Sequence, residues 1–221
     1  MKLLSLLQRA VVPAACNLAL LLLGAPTAYA EAPETADPGV SEQEISIEAL
    51  TLEVNESRQR RTSRGMGVLL GWSVLNMGTG AVGYFTTDGA TRYFHQMNAA
   101  WNAVNALIAG FGLANARRED PTQFDSLQTL EEGRRMEKIL LFNMGLNVAY
   151  MSAGAYLWER GRRIDDDRLR GYGPSLIVQG GFLLIFDSTL FTLQNRASNA
   201  FVDDLRIHWN DGPSLSYQTR F

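Results

Sequence analysis

The sequence predicts an all-α fold: a four-helix transmembrane bundle behind an N-terminal signal peptide and a flexible acidic leader. Three observations predict it. The first 30 residues have the layout of an export signal. Charged residues, 19% of the chain, are nearly absent from four windows of 20 to 25 residues. Three of those windows repeat an Asn and a Gly at one fixed spacing.

Residues 1–30 read as the signal peptide. Lys2 and Arg9 are the only charges before Glu31, an apolar run covers Leu18 to Leu23, and Ala28-Tyr29-Ala30 supplies the small-residue cleavage site. Cleavage is expected after Ala30; an uncleaved signal anchor is the rival reading. Pro13 stands where a lipoprotein signal before Cys16 wants an aliphatic residue. Cys16 is the only cysteine, so a disulfide scaffold and a Cys-based zinc site are excluded within one chain.

Residues 31–46 read as a disordered acidic leader. Eight acids and no Lys or Arg fall in 31–56, with Pro33 and Pro38 near the start. From Ile45 the apolar spacing of Leu50, Leu52 and Val54 suits a helix, and Arg58, Arg60, Arg61 and Arg64 follow. This acid-then-base run reads as a solvated helix face.

Residues 47–200 read as the membrane domain. Gly65 to Thr87, Tyr93 to Ala116 and Ile139 to Trp158 hold no Asp, Glu, Lys or Arg, and Gly171 to Asn195 holds one, Asp187. About 20 such residues cross a bilayer core as a helix. The charges sit in the connectors: Arg117 to Asp120, Glu131 to Lys138 and Glu159 to Arg170. Water-facing helices would carry charge on every turn, which a soluble four-helix bundle would have to do without. Trp158, at a window end, fits an interfacial position, and Gly67-x-x-x-Gly71 is a weak helix-contact signal. Residues 201–221 read as a tail. Leu205, Ile207 and Trp209 alternate before Asn210-Asp211-Gly212-Pro213, which suits a short hairpin or an interfacial segment. No run of alternating strands precedes Phe221, which excludes a barrel.

The windows share a polar stripe. Asn76 is followed by Gly83, Asn105 by Gly112 and Asn147 by Gly154, each pair seven residues apart and so on one helix face. His95, Asn98, Asn102 and Asn105 extend the stripe in the second window, and Asn143 joins Asn147 in the third. Gln179 and Asp187 lie roughly on one face of the fourth. Amide groups facing lipid would lack partners, so these nine polar side chains are expected to turn inward and form one seam. The seam either holds the bundle together or forms a hydrated path or small ligand pocket. His95 and Asp187 are its ionisable members, and an ionisable group inside a membrane segment is by default a functional candidate.

A net charge of −3 leaves no footprint for nucleic acid, and two His make a His-rich metal cluster unexpected. There is no phosphate loop, nucleophile elbow or HExxH, and Asp165-Asp166-Asp167 lies among arginines as surface charge. No catalytic residue, metal or cofactor is therefore expected. Cations flank the windows 9 to 6 in favour of the N-terminal side being cytoplasmic, whereas a cleaved signal would place that side outside. The signal is taken as the stronger rule.

Arg92-Tyr93-Phe94-His95-Gln96-Met97-Asn98, leading into Trp101-Asn102-x-x-Asn105, and the preceding Gly71-Trp72-x-x-x-Asn76 resemble motifs of a bacterial family of small four-helix membrane proteins defined as a domain of unknown function. The resemblance spans roughly residues 48–195. It implies a multi-helix membrane architecture and transfers no activity. The expectation is a non-enzymatic integral membrane protein of the cell envelope, inner or outer membrane left open. Its role would be structural or partner-binding, with the bilayer and either a homo-oligomer or another membrane protein as partners. The alternative is a small conduit or transporter for a proton, ion or polar metabolite using Asp187 and His95.

Overall fold

The computed structural model describes residues 42–210. The expected signal peptide and most of the expected acidic leader lie outside this span, as do residues 211–221. Four helices run in order: α1 (Glu42–Thr86), α2 (Gly89–Arg118), α3 (Ser126–Ile164) and α4 (Asp167–Asn210), with a 3-10 turn at Pro121–Gln123. No strand occurs among the described residues. Each uncharged window falls within one helix, except for Thr87 just past the end of α1, but the helices are longer than the windows. At 1.5 Å per residue, the 45 residues of α1 extend about 68 Å.

Two sequence boundaries are corrected. α1 begins at Glu42, so the last residues assigned to the leader are helical. α4 continues to Asn210, so residues 201–210 are helix and not the arm of a hairpin. The alternation of Leu205, Ile207 and Trp209 is too short to oppose the helix that already packs Phe201, buried to 1% exposure.

The turns are set by short polar residues. Gly89 opens α2 at φ +55°, in the left-handed region that suits glycine, with the Asp167 carboxylate against it. Asp125 caps α3 in a reciprocal box: its carboxylate accepts from Gln128 N at 2.8 Å, and Gln128 Oε1 accepts from Asp125 N. Asp165 ends α3 in the left-handed region, Asp166 accepts from Leu169 N at the start of α4, and Asp165 and Asp167 both pair with Arg170. The three-Asp run is thus a helix-to-helix turn.

α1 with α2 and α3 with α4 form two antiparallel hairpins, and α2 packs on α4 to join them. Glycines allow the close approaches. A Cβ on Gly173 would lie 2.5 Å from Gly154 O, and one on Gly171 would collide with the backbone of Ala90 and Phe94. The α2 and α3 backbones do not meet, although Trp101 sets its ring edge-on to Tyr150. The closest packing follows the order α1-α2-α4-α3, and at the Thr51–Asn55 end α1 also meets Ser126 and Thr129 of α3. Leu157, Leu169 and Leu176 make a small apolar core, against which Met97 and Trp101 pack. α1 and α4 are each long and apolar enough to cross a membrane.

Candidate functional site

The hydrogen bonds of the nine expected seam residues fall in two clusters. The first cluster joins α1, α2 and α4. The Trp72 indole donates to Gln179 Oε1 at 3.2 Å, Gln179 Nε2 donates to Asn98 Oδ1, and Asn98 Nδ2 donates to Asn76 O at 3.1 Å. Asn102 Nδ2 donates to Asn98 O at 2.8 Å, and Asn76 spends its amide on Trp72 O. Gln179 and Asn102 are fully buried. Phe182 stacks on Trp72 with ring centres 3.9 Å apart, fixing the indole that reaches Gln179.

The second cluster joins α3 and α4. Asn147 Nδ2 donates to Asp187 Oδ2 at 2.7 Å, and both residues are buried. Gly161 faces Leu169 and Gly154 faces Leu176, so residues whose numbers sum to about 330 lie level across this hairpin. Asn143 is level with Asp187 by that register, and its Oδ1 is buried without a partner. Gln179 and Asp187 share a helix but serve different neighbours. Eight residues rotate a helix by about 80° past two full turns, which is enough to send one towards α2 and the other towards α3.

His95 does not meet Asp187. On the parallel pair α2 and α4, Ala90 faces Gly171 and Asn98 faces Gln179. His95 is therefore level with residue 176, eleven residues or about 16 Å along the axis from Asp187. The His95 ring lies against Gly83, where any Cβ would collide with it, and its Nδ1 is buried without a partner. Asn105 is buried, its Nδ2 unpartnered, level with a Ser73 whose hydroxyl donates to Leu69 O.

All three repeat glycines sit at close approaches. Gly83 meets His95, Gly112 meets Met66 Sδ, and Gly154 meets Gly173. The Asn-to-Gly spacing thus places a polar side chain and a near-contact on one inward face. A Cβ on Gly67 or Gly71 would have nothing within 4 Å among the described residues.

A third polar cluster was not legible as such. Thr51 Oγ1 and Ser126 Oγ share a hydrogen bond of 2.8 Å, and Asn55 Oδ1 accepts from Thr129. Arg58 pairs with Glu119 at 2.7 Å and lies over the Phe124 ring. Arg58 is 6% exposed, which corrects the solvated-face reading of this run. Thr51, Asn55 and Arg58 stand at i, i+4 and i+7, a helical stripe that marks the buried face. Nearby, Glu137 is held below the usual carboxylate range. Burial opposes its ionisation, but hydrogen bonds from Ser198, Arg134 and Asn195 and the Arg134 charge outweigh it.

Among the described residues no three His, Cys, Asp or Glu side chains gather to hold a metal. The first cluster contains amides, an indole and no titratable group, so it can fasten helices or bind a neutral polar ligand but cannot move a proton. Asp187 is the acid of the second cluster.

No curated protein and no solved structure matches the chain. A family model does match, over residues 68–188, a span that contains every polar residue from Asn76 to Asp187 and leaves out Thr51, Asn55 and Arg58. By that match the chain belongs to the family of unknown function DUF6992.

Proposed function

We propose that this protein is a non-enzymatic integral membrane protein of the cell envelope, exported by its signal peptide. Its four helices would cross the bilayer and be fastened by amide hydrogen bonds, in a structural or partner-binding role. One observation carries this reading: the protein is inside out by the standard of a water-soluble domain. Among the described residues, 15 buried side chains are polar or charged and 8 are apolar. The outward faces of the windows carry Val68, Val74, Leu75, Val82, Phe85, Leu107, Phe111, Leu141, Phe142 and Ile185, all more than half exposed. A soluble monomer rarely exposes so large an apolar surface, whereas lipid covers it.

Dimensions support the same reading. The 20 uncharged residues of α3 span about 30 Å, the thickness of a bilayer core. Only 22% of each apolar stretch in α1 and α4 is buried within the protein. A core helix of a soluble protein would be mostly buried.

Alkaline carbonate extraction of membranes from cells expressing the full chain tests insertion. The protein is expected in the pellet, and its release into the supernatant would sink the reading. Single cysteines at Gln123 and Arg162 test spanning. They are expected to label from opposite sides of intact membranes.

A second reading, a small conduit for a proton, rests on Asp187 alone, an acid within an otherwise uncharged window. The separation of His95 removes the relay partner proposed for it. Asp187→Asn in reconstituted vesicles is the test. Unchanged proton flux relative to wild type removes this reading.

A further inference from the structure

On each helix, the charged residue nearest the uncharged window differs between the two ends of the bundle. At the end formed by the first half of α1, the last turn of α2, the start of α3 and the last part of α4, these residues are Arg64, Arg117, Lys138 and Arg196. Arg118 adjoins Arg117. All five are exposed, and none makes an ion pair among the described residues. At the opposite end the corresponding residues are Asp88, Arg92, Glu159 and Arg170. Arg170 is already paired with Asp165 and Asp167, and Arg92 lies over the Tyr84 ring. One end therefore presents a uniform cationic border and the other a mixed one.

The five cations also share a level. Met66 faces Gly112 and His95 faces Gly83 across α1 and α2, which places Arg64 level with residue 114. The α2-α4 register places Arg196 level with residue 115. The α3-α4 register places Lys138 level with residue 192, hence with residue 111 of α2. The group thus occupies a slab spanning residues 111 to 118 of α2, about 10 Å thick, comparable with a lipid headgroup layer. Of the cations farther out, Arg58, Arg60, Arg134 and Arg135 have Glu119, Glu56, Glu137 and Glu132 as partners, and Arg61 is half-buried. Beside Lys138 the face of α3 is open to the outside, and Phe142, one turn on, is exposed. The unpaired Lys138 one turn from the exposed Phe142 matches a phosphate headgroup over an acyl chain.

We propose that Arg64, Arg117, Arg118, Lys138 and Arg196 form a collar that binds anionic phospholipid, with the α3 face that carries Lys138 and Phe142 as its principal seat. The proposal rests on the membrane reading above. Each Lys or Arg near an anionic surface strengthens the attraction about five-fold, so five unpaired cations select phosphatidylglycerol over phosphatidylcholine.

The full-length protein is reconstituted in nanodiscs of nine parts phosphatidylcholine to one part phosphatidylglycerol. The lipid retained after mild delipidation is then measured by native mass spectrometry. Retained lipid is expected to be enriched several-fold in phosphatidylglycerol, and the enrichment is expected to vanish in R64Q/R117Q/R118Q/K138Q/R196Q. A control at the other end, R160Q/R162Q, keeps it. Wild-type retention at the bulk ratio overturns the collar, as does undiminished enrichment in the five-site variant or equal loss in the control. Should the five-site variant misfold, K138Q and R196Q are compared singly, and enrichment unchanged in both overturns it. A protein that fails to insert into the nanodisc sinks the membrane reading itself, an outcome distinct from insertion without enrichment.

Discussion

Asn147 on α3 donates its amide to the Asp187 carboxylate on α4 over 2.7 Å, and this is the polar tie between the two helices in the uncharged window. Asn147→Ala would leave a buried carboxyl without its donor. Hydrogen bonds between membrane helices are worth about 0.6 kcal/mol on average and up to about 1.7 kcal/mol, and stranding a buried acceptor sits at the upper end. Asn147→Ala is expected to lower stability by about 1–2 kcal/mol in reversible unfolding from mixed micelles. Asp187→Asn retains an acceptor oxygen for Asn147 and is expected to lose less than Asp187→Leu. Equal losses in the two would show that the hydrogen bond does not hold this hairpin.

Gln179 is the only side chain that ties α4 to both helices of the other hairpin in the first cluster, through Trp72 and Asn98. Gln179→Leu conserves volume but strands the indole N–H and one Asn98 oxygen. Each stranded group costs about 1–3 kcal/mol, so this variant is expected to be more destabilised than Asn147→Ala. Trp72→Phe strands only one group and is expected to cost about half as much. The Trp72 fluorescence, shielded by Phe182 and hydrogen-bonded to Gln179, should shift in Gln179→Leu before global unfolding.

The sequence made the four helices legible because a missing charge is a strong signal: each window, but for Thr87, fell inside one helix. The inward faces were legible from the Asn-to-Gly spacing, since side chains seven apart share a face. The order of the helices was not. Nothing in the spacing of Gln179 and Asp187 says that one faces α2 and the other α3, because the partner of a buried face is a property of packing. Arg58 was hidden for a related reason. A charged residue in a charged run looks solvated until Glu119, 61 residues away, closes on it. The final turn of α4 was misread because a three-residue alternation weighs little against tertiary packing of the adjoining Phe201.

Glu137, held between Arg134, Asn195 and Ser198, is expected to make the α3–α4 contact sensitive to acid. Its folded-state pKa lies below its ordinary value, so its ionised form adds stability above that value, and the contribution is lost as the pH falls through the depressed folded value. Stability is therefore expected to decline below about pH 4.5. Glu137→Gln should flatten that part of the profile while lowering stability at neutral pH, because Arg134 loses its partner. Unfolding midpoints measured between pH 3 and 7 for both proteins test this. Parallel profiles would assign the acid sensitivity to other carboxylates.

The glycines of α3 and α4 separate close packing from helix propensity. A Cβ on Gly173 would sit 2.5 Å from Gly154 O and 2.6 Å from Trp158 N, both backbone atoms that cannot rotate away. Gly173→Ala must therefore push α3 and α4 apart, and overpacking of this kind costs about 1–3 kcal/mol. Gly145 and Gly181 lie on the same two helices with nothing within 4 Å. Alanine there meets no neighbour and removes the backbone freedom of glycine, so Gly145→Ala and Gly181→Ala are expected to leave stability unchanged or raise it by up to about 1 kcal/mol. Unfolding of the three variants in one detergent gives the comparison. If Gly173→Ala behaves like the other two, α3 and α4 do not approach as closely as the backbone distances state. If Gly145→Ala or Gly181→Ala is as damaging as Gly173→Ala, those open faces are covered by a partner helix in the membrane.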